Sequence, residues 1–200
     1  MDTKRHETAH LLIETTEELI KTMPLQDISV DNILLKSGIS KGSLYHHFKD
    51  LSDLLEATQL HRYSKWVDGS IELMDKVLTT SKSREDVING LKDVTIMTQH
   101  PKFRFMRYER ATALISAHQH EDFAKRLSVV QAKLTDGIER VIREAIEQGL
   151  FRKGLDPRAV AVFIQAFTLG RIIDEIDTPS VSAESWNELI GLVLDRALIN

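Results

Sequence analysis

The sequence predicts an all-α chain in which an N-terminal three-helix helix-turn-helix module precedes a C-terminal helical bundle. Three observations carry this. Nearly every segment repeats its apolar residues at three and four positions, the period of a helix. No run alternates apolar and polar residues between turn signals, as a half-buried strand would. Two short helical segments are separated only by Ser37-Gly38-Ile39-Ser40, the spacing of a helix-turn-helix.

The elements follow in order. Residues 8–23 place Leu12, Ile13, Leu19, Ile20 and Met23 on one stripe, with Glu14, Glu17 and Glu18 outside it, and Pro24 ends the helix. Ser29 is an N-cap for a short helix that buries Val30, Ile33 and Leu34, and Gly38 is its left-handed stop. Ser40 caps a third helix, Lys41 to Phe48. Asp50 caps a long fourth one, reaching Tyr63 and Trp66. After the polar break Thr79–Ser83, Val87, Leu91 and Val94 begin another helix, and His100-Pro101 closes it, since the residue before proline avoids the helical region. Residues 103–117 and 121–148 read as two more helices, the second stopped by Gly149. Asp156-Pro157 starts a helix expected to run to Thr178-Pro179. Ser182 caps the last, in which Trp186, Leu189, Ile190, Val193, Leu194 and Ala197 repeat at helical spacing. The natural division is residues 1–50 and 51–200, with the fourth helix shared.

Composition narrows the function. With 42% hydrophobic and 28% charged residues the chain can bury a core, and without cysteine it has no disulfide or thiolate metal site. No apolar run reaches the roughly 20 residues of a membrane span. Met1 to Glu7 is charged and lacks a following apolar stretch, so no signal peptide is expected and the chain reads as cytoplasmic. The net charge of −4 gives no bulk attraction for nucleic acid. Lys36 to Lys49, however, holds three lysines, two histidines and no acid, a local basic island suited to phosphate contacts.

Within Ile28–Leu55, Ile33, Leu34, Ile39, Leu44 and Phe48 can pack inward and fix the angle between the two short helices. Lys41, Gly42, Ser43, Tyr45 and His46 then lie at the exposed N-terminal end of the second helix, the end that enters a major groove. This segment resembles the DNA-binding signature of TetR-family regulators. The shared features are Ser29-Val30 with Ile33, the turn Ser37-Gly38-Ile39-Ser40-Lys41-Gly42, the run Ser43-Leu44-Tyr45-His46-His47-Phe48-Lys49, and the acid-leucine start of the fourth helix. The match covers the first 60 or so residues, about one such module; the rest matches in architecture. The resemblance implies phosphate contact for Ser29 and Lys49, base-edge or backbone contact for Lys41, Gly42 and Ser43, and phosphate and groove contact for Tyr45 and His46. The family often carries lysine two residues after Lys49, where this chain has Leu51.

Other signals are weaker. Adjacent His46 and His47 point about 100° apart on a helix and cannot easily share an ion. His118 and His120 fall between two helices, either as a solvated turn or as part of a metal site whose other ligands are not evident. A di-iron bundle needs two Glu-x-x-His pairs, and only Glu7/His10 fits. No G-x-S-x-G, H-E-x-x-H or P-loop occurs, and no cofactor is implied. Residues 159–173 are apolar on all faces, which requires burial on all faces. By resemblance, the last two helices form a four-helix bundle across a two-fold axis, with Phe167, Gly170, Trp186, Ile190, Val193 and Leu194 in the dimer interface. Trp66, Met97, Phe103, Met106, Tyr108, Phe163 and Phe167 are candidates for lining a ligand cavity. Arg104, Arg107, Tyr108, Glu109 and Arg110 form a dense polar run, either a solvated face or a ligand anchor. The expected function is a homodimeric, ligand-responsive repressor that binds a palindromic DNA site, with an effector of unspecified identity and no enzymatic activity. Two rivals are a dimeric regulator without a small-molecule ligand and a helical-bundle metal-binding protein or enzyme.

Overall fold

The computed structural model describes residues 2–198. Among these it contains ten α-helices and no strand: α1 (Asp2–Thr22), α2 (Val30–Ser37), α3 (Lys41–His47), α4 (Leu51–Thr80), α5 (Arg84–Gln99), α6 (Arg104–Gln119), α7 (Glu121–Glu147), α8 (Pro157–Gly170), α9 (Ile172–Glu175) and α10 (Ala183–Ala197). Two compact units are present, one ending at Lys65 and one beginning at Trp66, so that the division falls inside α4. No helix described is long and apolar enough to cross a membrane.

The N-terminal unit is built from strong local signals. Ser29 and Asn32 form a capping box: the Asn32 amide donates to Ser29 Oγ (3.3 Å) and the Ser29 amide to Asn32 Oδ1 (3.0 Å), satisfying two otherwise orphaned donors. Ser40 Oγ accepts from the Ser43 amide (3.2 Å) and Asp50 Oδ1 from the Asp53 amide (2.9 Å). These caps set where α2, α3 and α4 begin. Leu12, Leu19, Ile28, Ile33, Leu44, Phe48 and Leu54 are buried together, with Ile39 and Leu51 packed against them. On α1, burial raises the Glu17 pKa, but hydrogen bonds from Lys21 and Lys65 outweigh it and hold the carboxyl below its usual range.

Gly38 ends α2 at φ 69°. A side chain there would meet nothing within 4 Å, so the glycine is required by the backbone alone. Gly38→Ala is therefore expected to cost about 1–2 kcal/mol, the left-handed penalty of an L-residue. Chemical denaturation followed by circular dichroism measures this, and an unchanged midpoint would show that the turn relaxes freely.

In the C-terminal unit α7 packs against α6 and α8, α5 against α8 and α10, and α6 against α9. The inner face of α7 buries Phe123, Leu127, Leu134, Ile138, Val141, Ile142 and Ala145, a regular helical stripe. Asp156 caps α8 by accepting from the Arg158 and Ala159 amides (2.8 and 3.2 Å). The helix expected to continue to Thr178 instead stops at Gly170, and α9 follows as a separate turn. Glycine weakens a helix by about 1 kcal/mol, and the polar groups beyond it find partners off the helix axis. Arg171 donates to the Val181 carbonyl (2.9 Å) and meets Asp174 (3.4 Å), while Glu175 pairs with Arg107.

Candidate functional site

One candidate site lies on α3. Its inward residue Leu44 is fully buried and Phe48, just beyond the helix, is 7% exposed. These two anchors turn the opposite side outward. Lys41, Gly42, Tyr45, His46 and Lys49 are exposed, and Ser43 is half-buried. The result is a short helix with cationic, hydroxyl and aromatic hydrogen-bonding groups on its free side and apolar residues beneath. Such a surface can meet phosphates and base edges. Ser29 is half-buried and its hydroxyl donates to Asn32 Oδ1 (2.6 Å), so its first partner is the cap. The Lys49 amide donates to Asp53 Oδ2 (3.1 Å), leaving the ammonium exposed. Leu51, standing where the resembled signature often has lysine, packs against the hydrophobic core instead.

A second candidate site is a cavity of about 150 Å³ in the C-terminal unit, walled by α4–α8 and α10 together with Phe103 and Phe151. Of the residues singled out in the sequence, Trp66, Met97, Phe103 and Met106 are on its wall, and Tyr108, Phe163 and Phe167 are not. Phe163 is 43% exposed and stacks on Phe167 at 5.5 Å, on a different side of α8 from the wall residues Ile164 and Thr168. The polar run on α6 has a definite place: Arg107 and Arg110 are 2% and 4% exposed and both line the cavity. Arg107 donates through Nη1 to the Thr98 carbonyl (2.8 Å) and pairs through Nη2 with Glu175. Arg110 lies over the Trp66 ring at 4.1 Å. Gln165 is held by hydrogen bonds with Gln131 (2.7 Å) and Thr135 (3.2 Å).

A third feature is uncovered apolar surface. On α8, Val162 is 53% exposed, and on α10 Leu189 and Leu192 are 52% and 50% exposed. Of the residues assigned to an interface from sequence, Phe167, Gly170 and Val193 are partly exposed, whereas Ile190 and Leu194 are buried inside the chain's own bundle. Trp186 donates to Gln99 Oε1 (3.1 Å) and stacks with Arg171. On α10, Leu189, Leu192 and Val193 form a second apolar stripe at helical spacing, beside the buried Ile190 and Leu194. His118 and His120 are exposed, and among the described residues no group of three or more His, Asp or Glu is placed to hold a metal ion.

Comparison with known proteins adds independent findings. Residues 12–58 match the profile of bacterial regulatory proteins of the tetR family. The chain is 26% identical over 158 residues to the HTH-type transcriptional repressor KstR2 of Mycolicibacterium smegmatis, covering 78% of this chain and 74% of that one. A crystal structure of a TetR-family transcriptional regulator from Pectobacterium atrosepticum superposes with a TM-score of 0.73, at 18% identity, over 100% of this chain and 98% of the other. A transcriptional regulator from Saccharomonospora viridis in complex with choline gives a TM-score of 0.70 at 17% identity, over 98% and 99%.

Proposed function

Because the chain belongs to the tetR family of bacterial regulatory proteins and is a DNA-binding transcriptional regulator rather than an enzyme, we propose that it acts in the cytoplasm as a homodimeric repressor released by a small-molecule effector. The observation that carries the proposal is the exposed polar face of α3, seated on the buried anchors Leu44 and Phe48. Residues 1–50 form the reading module and residues 51–200 the sensing and dimerising part. In the reading module Lys49 and Tyr45 hold phosphate, while Lys41, Ser43 and His46 lie near base edges, with Gly42 allowing close backbone approach. Ser29 contributes by fixing the start of α2.

A two-fold dimer presents two such helices to half-sites about one helical turn apart. The exposed apolar stripes of α8 and α10 are the surfaces that such a dimer would cover, together with Phe167, Gly170 and Val193. The cavity is the effector site, and α4, which runs through the division between the two units, links it covalently to the reading module. An effector acts only if it binds the two states of the dimer unequally. The choline complex of the Saccharomonospora viridis protein supports a small-molecule site in this fold. In the present chain, a cavity wall carrying cations and no acid among the described residues offers choline no counter-charge.

The test is fluorescence anisotropy of the full chain on DNA from its own upstream region, against random duplex, across a salt series. Preference for the upstream DNA, with log affinity falling linearly in log salt, is expected. Equal affinity for both duplexes at every salt concentration would contradict the proposal.

A further inference from the structure

We infer that the cavity in the C-terminal unit takes a small uncharged molecule with a ring-sized apolar body. The inference rests on reading the cavity as the effector site and specifies the chemistry of its occupant.

The polar groups on the wall are committed within the protein. Each wall hydroxyl donates to a carbonyl of its own helix: Ser70 to Trp66 (2.8 Å), Thr95 to Leu91 (3.0 Å), Thr98 to Thr95 (2.6 Å) and Thr168 to Ile164 (2.7 Å). The Gln165 side-chain amide donates to the Thr135 hydroxyl and the Ala161 carbonyl (both 3.2 Å), and its oxygen accepts from Gln131 (2.7 Å). Lys92 is engaged by Asp195. Arg107 holds the Thr98 carbonyl and Glu175, and Arg110 lies over the Trp66 ring. The Nε of each of these arginines is fully covered, so it presents no surface to the cavity.

These commitments disfavour charge of either sign. An anion gains a partner only by displacing Asp195 or Glu175, which leaves that carboxylate unpaired, and burying an unpaired charge is strongly unfavourable. A cation meets Lys92, Arg107 and Arg110 with no acid on the wall among the described residues. A hydroxyl whose proton is spent keeps its lone pairs, so it can accept from an O–H on a ligand but gives nothing to a carboxylate.

The rest of the wall sets the body of the occupant. Trp66, Phe103 and Phe151 line it together with Met74, Met97 and Met106. Thioether sulfur makes favourable contacts with aromatic rings, which suits a ring. The volume is about 150 Å³, and an apolar cavity of roughly this size takes a molecule such as benzene.

The experiment is calorimetric titration of the full chain with benzyl alcohol, benzoate and benzylammonium, probes that share a ring and differ in the charge of the head. Benzyl alcohol is expected to bind about tenfold or more tighter than either charged probe. Val94→Phe adds a ring to a wall residue of α5 and should weaken benzyl alcohol by about tenfold or more, with helical content unchanged. Leu91→Phe, one turn earlier on the same wall, serves the same test where Val94→Phe fails to fold. If benzoate or benzylammonium binds as tightly as benzyl alcohol, if no probe binds, or if a folded filled variant keeps the parent affinity, the inference is overturned. Anisotropy on upstream DNA with the same samples separates the two readings. Retained DNA binding with failed probes removes only the uncharged ligand, whereas failed DNA binding with retained benzyl alcohol preference removes only the repressor.

Discussion

Replacing Lys41, Tyr45 and Lys49 together with alanine is expected to weaken binding to upstream DNA by roughly a hundredfold to ten-thousandfold, while the chain keeps its helical content. All three side chains are exposed, so their removal leaves the core of Leu12, Ile33, Leu44 and Leu54 intact. At about 1–2 kcal/mol per contact, the lower part of the usual span, three lost at once cost about 3–6 kcal/mol, which corresponds to that range. The single variants should divide the effect by kind. Lys49→Ala should weaken specific and random DNA alike and flatten the salt slope by about 1 per subunit, because a phosphate contact releases counterions on any sequence. Lys41→Ala should relax preference at one base pair in each half-site. The net charge of −4 leaves little non-specific attraction to hide these differences. A folded triple variant with wild-type affinity would show that the reading head lies on another element.

Leu189→Glu/Leu192→Glu is expected to convert the proposed dimer to monomer and to lower affinity for a two-half-site DNA by about a hundredfold or more. Both leucines are about half exposed in the isolated chain, at 52% and 50%, so charged replacements need not disturb the fold. In a dimer they would place carboxylates in an apolar interface, where an unpaired buried charge is strongly unfavourable. Phe167 and Val193 are partly exposed, and a charge there should act in the same direction. Sedimentation velocity at micromolar concentration reads the outcome directly. A wild-type chain that sediments as a monomer, or a double variant that remains a dimer, would place the interface elsewhere.

The two units differed in how much of them could be read from residues alone, and the reason is the range of the signals. In the N-terminal unit the decisive devices are local. Ser29, Ser40 and Asp50 cap helices within three residues of themselves, Gly38 supplies a positive φ, and the anchors Ile33, Leu44 and Phe48 follow the helical period. Each constraint is written in adjacent residues, so the placement of α2 and α3 and the outward face of α3 were legible together.

The C-terminal unit depends on contacts far apart in sequence. Whether Arg107 and Arg110 faced water or a ligand was undecidable from their neighbours. Both are buried, Arg107 against Glu175, sixty-eight positions away, and Arg110 over the ring of Trp66. Phe163 looked like a cavity residue by type, but its position on α8 turns it away from the wall residues Ile164 and Thr168. The early stop of α8 has the same origin, since Arg171 and Asp174 both bond to the Val181 backbone and Glu175 pairs with Arg107. On α10 two apolar stripes share one helix, and only packing shows that Ile190 and Leu194 face inward while Leu189 and Leu192 remain outside.

In the proposed function, α3 and the turns flanking it are where this chain meets DNA. Hydrogen exchange of the full, unsubstituted chain with and without saturating upstream DNA tests it most directly, because no side chain is changed. Exchange across residues 38–53 is expected to slow on adding the DNA. DNA binding that leaves exchange across residues 38–53 unchanged, with protection confined to α5–α10, would contradict it.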